Sequence, residues 1–432
     1  MSRRRVFPVS PFAPALSLAL ALCVALAACG GGGGSDSSTG TPSASASSTS
    51  PSSAPTTASM PTTTSPVAQS TTPNVVTVNV GASATSTRNL LTTSVTICVP
   101  GTSTCATVDN VQVDTGSQGL RLLASALPAG FALPAVAAGS GTSAAGECAV
   151  FGTGYTWGAV RRADLKLADE VASSLPIQVI ADPSVPATAP STCVSSSGLA
   201  MNDASSLRVN GILGVGLFNA DCGSGCVTRA LSPWYYACDA GTCTASTQPL
   251  AQQVSNPVAA FATDNNGVAI DLPAVGASGA ASNSGTLTFG IGTQDDNALG
   301  AATILRANTQ TGYVTTTTSD GTVYTQSYLD SGSNGFFFWN STLPRCGSWF
   351  CPTSPQSLSA TIKGTDGVSA PTSFSIANAQ TLFATGNWAF DDLGGYNGNM
   401  FGWGLPFFFG RRVFTAIEAQ ATPAGTGPFY AF

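Results

Sequence analysis

Two stretches of this sequence carry one design, and their spacing limits the fold more than any other feature. The first is Val111-Gln112-Val113-Asp114-Thr115-Gly116-Ser117-Gln118-Gly119-Leu120. The second is Ser327-Tyr328-Leu329-Asp330-Ser331-Gly332-Ser333-Asn334-Gly335-Phe336. Each is a strand-like run ending at Asp, followed by a small hydroxyl residue, a Gly, a Ser, two turn-forming residues and further apolar residues. A single Asp-x-Gly is ordinary turn chemistry in a chain rich in Ser, Thr and Gly. Two copies 216 residues apart, with no other Asp-Ser/Thr-Gly in the sequence, imply a duplicated lobe.

The text between the copies reads as β structure. Short apolar runs such as 95–98, 108–113, 165–167, 177–180, 268–272, 286–289 and 324–329 are bounded by Gly, Asn and Pro. A long amphipathic helix is missing, and helical turns are expected only near 247–254 and 377–384. The chain of 432 residues is long enough to bury a large core. It contains no histidine, which excludes Ser-His-Asp and Cys-His catalysis and the common His-containing zinc sites. Acid–base work would fall to carboxylates, a Lys or a Tyr.

The first 28 residues have the composition of a secretion signal, with Arg3, Arg4 and Arg5 before an apolar stretch from Leu16 to Leu26. Leu26-Ala27-Ala28-Cys29 resembles the bacterial lipobox, which makes Cys29 the acylated (palmitate-bearing) first residue of the mature protein. Ordinary cleavage near the same alanines is the alternative. Gly30 after Cys29 resembles the signal for outer-membrane sorting, so the expected location is the bacterial cell envelope, lipid-anchored at the outer membrane. Residues 29–73 are a Gly, Ser, Thr and Pro tether too poor in apolar side chains to offset their ordering entropy. Losing the signal leaves twelve basic side chains against 21 acidic ones, a net −9 that argues against a nucleic-acid partner.

Beyond Cys23 and Cys29 ten cysteines remain, an even number in an exported chain. Proximity suggests Cys98 with Cys105, Cys222 with Cys226, Cys238 with Cys243 and Cys346 with Cys351, leaving Cys148 for Cys193. A four-thiolate zinc site at Cys222, Cys226, Cys238 and Cys243 is the alternative, which export disfavours.

Further stretches make the resemblance specific. Cys148-Ala149-Val150-Phe151-Gly152-Thr153-Gly154 resembles the flap of pepsin-type aspartic proteases, usually Tyr-Gly-Thr-Gly. Asn210-Gly211-Ile212-Leu213-Gly214-Val215-Gly216 resembles the segment behind their first aspartate, and the run from Gly404 to Thr415 resembles its second-lobe counterpart. With the two acidic loops, five stretches fall in family order over 74–432. The resemblance implies an all-β, bilobal pepsin-like fold, two related β-barrel-like lobes (74–255 and 256–432) with a substrate cleft between them. It implies Asp114 and Asp330 as a catalytic dyad and Thr115 and Ser331 as cross-braces. Ser117 and Ser333 would hold the outer carboxylate oxygens, and Gly116 and Gly332 would permit close approach. Phe151, Gly152, Thr153 and Gly154 would close over an extended peptide or protein substrate.

No metal or cofactor is expected, and the chain is expected to be monomeric. Three residues depart from the pattern. Phe151 lacks the family's flap hydroxyl, with Tyr155 the next hydroxyl on the hairpin. Asn334 follows Ser333 where the family has Thr-Ser, and Arg121 stands where an apolar residue is expected. The expected activity is an aspartic endopeptidase; the alternative is a catalytically weak or inactive pepsin-fold lipoprotein that binds peptide or plays a structural part.

Overall fold

Alternation of apolar and polar residues sets the strands. In Leu91–Cys98, Leu91, Thr93, Val95 and Ile97 point inward while Ser94 is exposed, the period-two pattern of a strand with one buried face. Gln356–Lys363 and Ser369–Ile376 repeat the pattern as an antiparallel hairpin, burying Ala360, Ile362, Ala370, Phe374 and Ile376. The computed structural model describes residues 72–239 and 241–432. The signal, Cys29 and all but the last two residues of the tether lie outside the described residues. Every strand-like run read from the sequence falls inside a strand. Short helices form at Ala379–Ala384 and Leu250–Gln252, within the two stretches expected to turn helically. No described helix is long and apolar enough to cross a membrane.

The architecture is all-β and two-lobed. Strands of the first lobe join one fifteen-stranded sheet, and a nine-stranded sheet spanning 314–403 forms the second lobe. The larger sheet is not confined to the first half of the chain. Val75–Val80 pairs antiparallel with Asn283–Phe289, from Val75 opposite Thr288 to Val80 opposite Asn283. Gly267–Leu272, Arg411–Ala416, Phe429–Ala431 and Ile304–Arg306 extend it further. The first strand of the described chain is therefore held by the second half. One hydrophobic cluster likewise runs through both halves, from Val78 and Ile97 to Phe401 and Trp403.

The second-lobe core is aromatic. Trp403 stacks on Phe401 with centroids 4.4 Å apart, and Phe338 stacks on Phe401 at 4.9 Å. The phenylalanines at 336, 338 and 407–409 are buried, whereas Trp339 is exposed. Asn89, fully buried, ties a first-half loop to the second lobe. Its amide donates to the carbonyls of Phe390 (2.8 Å) and Asn334 (3.0 Å), and its oxygen accepts from the Phe390 N–H.

Five disulfides close in the structure: Cys98–Cys105, Cys148–Cys193, Cys222–Cys226, Cys238–Cys243 and Cys346–Cys351. The zinc alternative is thereby set aside, since all four candidate thiols are consumed in bridges. Four bridges span seven residues or fewer; Cys148–Cys193 spans 45 and joins the strand Ala144–Phe151 to the helix Ser191–Ser197. Loop-closure entropy for that span is about 4 kcal/mol. Replacing both Cys148 and Cys193 by Ser should lower the unfolding free energy by roughly 2–4 kcal/mol in urea titrations, more than removal of any other bridge.

Candidate active site

Each acidic loop is shaped by a strand passing between its two legs. Gly211–Val215 lies parallel to Cys105–Asp114, with Gly214 opposite Asp114, and antiparallel to Gln118–Leu123. In the second lobe Phe401–Trp403 lies parallel to Val323–Leu329 and antiparallel to Phe336–Phe338. Leu329 pairs with Trp403, so Gly404 follows where Gly214 stands in the first lobe. The run singled out near the C-terminus thus divides between two sheets. Gly404 completes the crossing behind Asp330, and Arg411–Ala416 belongs to the shared sheet.

The loops are braced to each other by matched hydrogen bonds. The Thr115 N–H donates to Ser331 Oγ at 3.1 Å, and the Ser331 N–H donates to Thr115 Oγ1 at 3.0 Å. Thr115 Oγ1 donates in turn to the Leu329 carbonyl (3.3 Å), and Ser331 Oγ to that of Val113 (2.8 Å). Around the carboxyls the symmetry continues. The N–H groups of Gly116 and Gly332 donate to Oδ1 of Asp114 and Asp330, each at 2.8 Å. The hydroxyls of Ser117 and Ser333 donate to the Oδ2 atoms at 2.5 and 2.6 Å.

Gly116 and Gly332 are required by space. A Cβ at Gly116 would sit 2.7 Å from the Asp330 carboxyl carbon, and one at Gly332 would sit 2.5 Å from Asp114 Oδ1 and 3.1 Å from Asp330 Oδ1. Neither glycine adopts a positive φ. Each loop is therefore a floor for the opposite carboxyl. Burial, and then the negative charge of Asp330, push the Asp114 carboxyl up to about 8. Two carboxyls this close do not both ionise cheaply, so Asp114 keeps its proton through neutral pH.

The hairpin of Ala144–Phe151 and Gly154–Leu167 turns at Gly152 and Thr153. Phe151 lies between two cavities, of about 180 and 290 Å³, each of which also reaches Asp114 and Asp330. Tyr155 does not replace the missing flap hydroxyl: it is buried with Cys148, Trp157 and Cys193. Three tyrosines that the motifs did not reveal, Tyr313, Tyr328 and Tyr430, line the larger cavity beside the dyad. Tyr328 was within reach of pattern reasoning, because a residue two before Asp330 on a strand shares its face. Gln112, two before Asp114, donates across the cleft to the Gly332 carbonyl at 2.8 Å. Asn334 donates to the Arg88 carbonyl at 3.2 Å and so fastens its loop to the first half.

Arg121 occupies its apolar-looking position because two acids meet it there. Its guanidinium pairs with Glu147 at 2.5 Å and Asp221 at 3.2 Å, all three side chains being buried. Tyr235 donates to Asp221 at 2.6 Å. Burial and the neighbouring Glu147 push Asp221 well above the usual carboxylate range, while the Arg121 guanidinium pulls it back down. The guanidinium carbon also lies 5.8 Å from the Phe151 ring centroid. Arg121 and Glu147 thus connect the strand after the first acidic loop to the flap strand. Among the described residues no cluster of three metal-ligating side chains occurs.

A family model described as "Protein of unknown function (DUF3443)" matches residues 70–432. The chain belongs to this family. Among solved structures, this DUF3443 member is similar to an aspartic proteinase from Irpex lacteus, with 16% identity and a TM-score of 0.48. That match covers 82% of this chain and 97% of the proteinase. No curated protein matches the DUF3443 chain.

Thr115→Val and Ser331→Ala should each cost about 1–3 kcal/mol, because each leaves a buried N–H without its acceptor. A double-mutant cycle in urea should give a double variant markedly less destabilised than the sum of the singles, since the two hydroxyls belong to one network.

Proposed function

We propose that the protein is a pepsin-like aspartic endopeptidase of the bacterial cell envelope, acting on extended peptide or protein substrates as a lipid-anchored monomer. The observation that carries this reading is the matched pair of loops, which present two hydrogen-bonded carboxyls to one cleft beneath a β-hairpin.

In this reading a water lies between the carboxyls. As its oxygen bonds to the peptide carbonyl carbon, the ionised carboxyl takes one of its protons. Asp114, raised by burial and by Asp330, gives its proton to the carbonyl oxygen. The dyad still holds one proton, and the substrate has become a neutral gem-diol. On collapse the C–N bond breaks, the nitrogen receives the dyad's proton, and a diol hydroxyl returns one to the free carboxylate. Products are a carboxylic acid and an amine, with the dyad restored. The hairpin would exclude water and order the substrate backbone.

A second reading, a peptide-binding lipoprotein of low or no catalytic power, is favoured by one observation: Phe151 brings no hydroxyl to the cleft, and Tyr155 points into a core cluster instead. For the endopeptidase, Asp114→Asn and Asp330→Asn should each abolish hydrolysis of an unfolded protein while leaving the circular dichroism spectrum intact. Activity surviving both substitutions would refute the dyad; a folded wild type inert across acid and neutral pH would favour the binding reading. Because Asp114 loses its proton through about pH 8, the rate should fall as pH rises through that value. Phe151→Tyr should raise the rate if the missing hydroxyl limits it.

The anchor is proposed on Cys29 and the preceding Leu26-Ala27-Ala28, with Gly30 directing the protein to the outer membrane. Mass spectrometry of the mature N-terminus should find a diacylglyceryl, N-acylated Cys29; a free amine on an unmodified cysteine would overturn the assignment.

A further inference from the structure

The smaller of the two cavities is bordered by an arginine whose head group makes no hydrogen bond, ion pair or ring contact within the described residues. Arg208 lines it together with Asp114 and Asp330. Most cations among the described residues have their head groups engaged. Arg88 stacks on Trp388 at 3.9 Å, Arg161 pairs with Asp182, and Arg345 lies over Tyr396. Four head groups, those of Lys166, Arg208, Arg229 and Lys363, have no hydrogen bond, ion pair or ring contact, and of these Arg208 alone lines a dyad cavity.

Its backbone is firmly held. Asp203 caps the short helix Ala204–Leu207 by accepting from the N–H groups of Ser205 and Ser206, and the Arg208 N–H donates to the Ala204 carbonyl. Leu207 and Val209 on either side are buried. Arg208 itself sits at φ 74°, a left-handed position where glycine or asparagine is the usual choice. An arginine is disfavoured there by its Cβ, and its guanidinium has no hydrogen bond, ion pair or ring contact to offset the cost. Arg208 instead lines, as an exposed residue, a cavity whose wall includes Leu90, Phe151, Met201 and Ile212.

We propose that Arg208 is a specificity-determining residue, selecting an acidic side chain on a peptide whose apolar side chain fills the smaller cavity. The proposal rests on the peptidase reading of the cleft. An acid entering that cleft meets the negative charge of the dyad, and Arg208 is the group placed to offset it. The residue is exposed, so the discrimination is that of a solvent-screened ion pair, about two- to fivefold, and it weakens at high salt.

The test uses peptides that differ only in Glu or Gln at each of the positions flanking the scissile bond. Wild type should cleave the Glu peptide faster at one position, by about two- to fivefold in kcat/KM, with the advantage shrinking at high salt. Arg208→Ala should equalise the pair and Arg208→Glu should invert it. Arg229→Ala, an exposed cation that lines neither cavity, should keep the preference. Equal rates for Glu and Gln at every position, or a preference that persists in Arg208→Ala, would overturn the proposal. If wild type cleaves no peptide, the endopeptidase reading fails, and binding of the same labelled pairs then decides Arg208 by itself. Tighter binding of the Glu peptide that Arg208→Ala abolishes supports the assignment; equal binding, or none, refutes it.

Discussion

The two acidic loops hold each other in place. A backbone N–H from each donates to the hydroxyl of the other, and each hydroxyl in turn donates a hydrogen bond to a carbonyl of the opposite lobe. Two carboxyls would otherwise separate to keep their hydration and avoid mutual repulsion. Here the bracing joins the backbones beneath them, and Gly116 and Gly332 leave no side chain between a loop and the facing carboxyl. The raised Asp114 is the electrostatic result. It also has a sign for stability: an aspartate that keeps its proton to about 8 when folded, and to about 4 when unfolded, makes the folded state progressively less favourable as pH rises between those values. The dyad is thus assembled against local electrostatic preference, by hydrogen bonds and packing around it.

Arg121 gives the flap a similar foundation. One guanidinium meets two buried carboxyls, one of them raised by its surroundings, while Phe151 lies above. Separating such charges without water costs several kcal/mol per ion, so the base of the hairpin is fixed relative to the first acidic loop. Cys148–Cys193 restrains the same strand covalently one residue beyond Glu147.

Much of this was readable along the chain because it depends on local order. The runs ending at Asp114 and Asp330, the Gly-Thr-Gly turn and the alternating strands each lie within about ten residues. What escaped reading depends on distant partners. Arg121 looks misplaced until Glu147 and Asp221, 26 and 100 residues away, are brought beside it. Tyr313 and Tyr430 enter the cleft from segments bearing no motif. A division of the chain at 255/256 follows the duplication, yet it does not foretell that Val75–Val80 takes its partner from residues 283–288, because strand pairing leaves no trace in periodicity.

That shared sheet governs the order of events when the chain is made, N-terminal end first. The strand at 75–80 stays without its outer neighbour until some two hundred more residues have emerged, and Arg411–Ala416 and Phe429–Ala431 come last of all. Such distant pairings form slowly. Thr115 likewise waits for Ser331 before its loop is braced. A nascent chain therefore carries Asp114 through half of its synthesis before Asp330 is made, and the cleft comes into being only with a nearly complete protein.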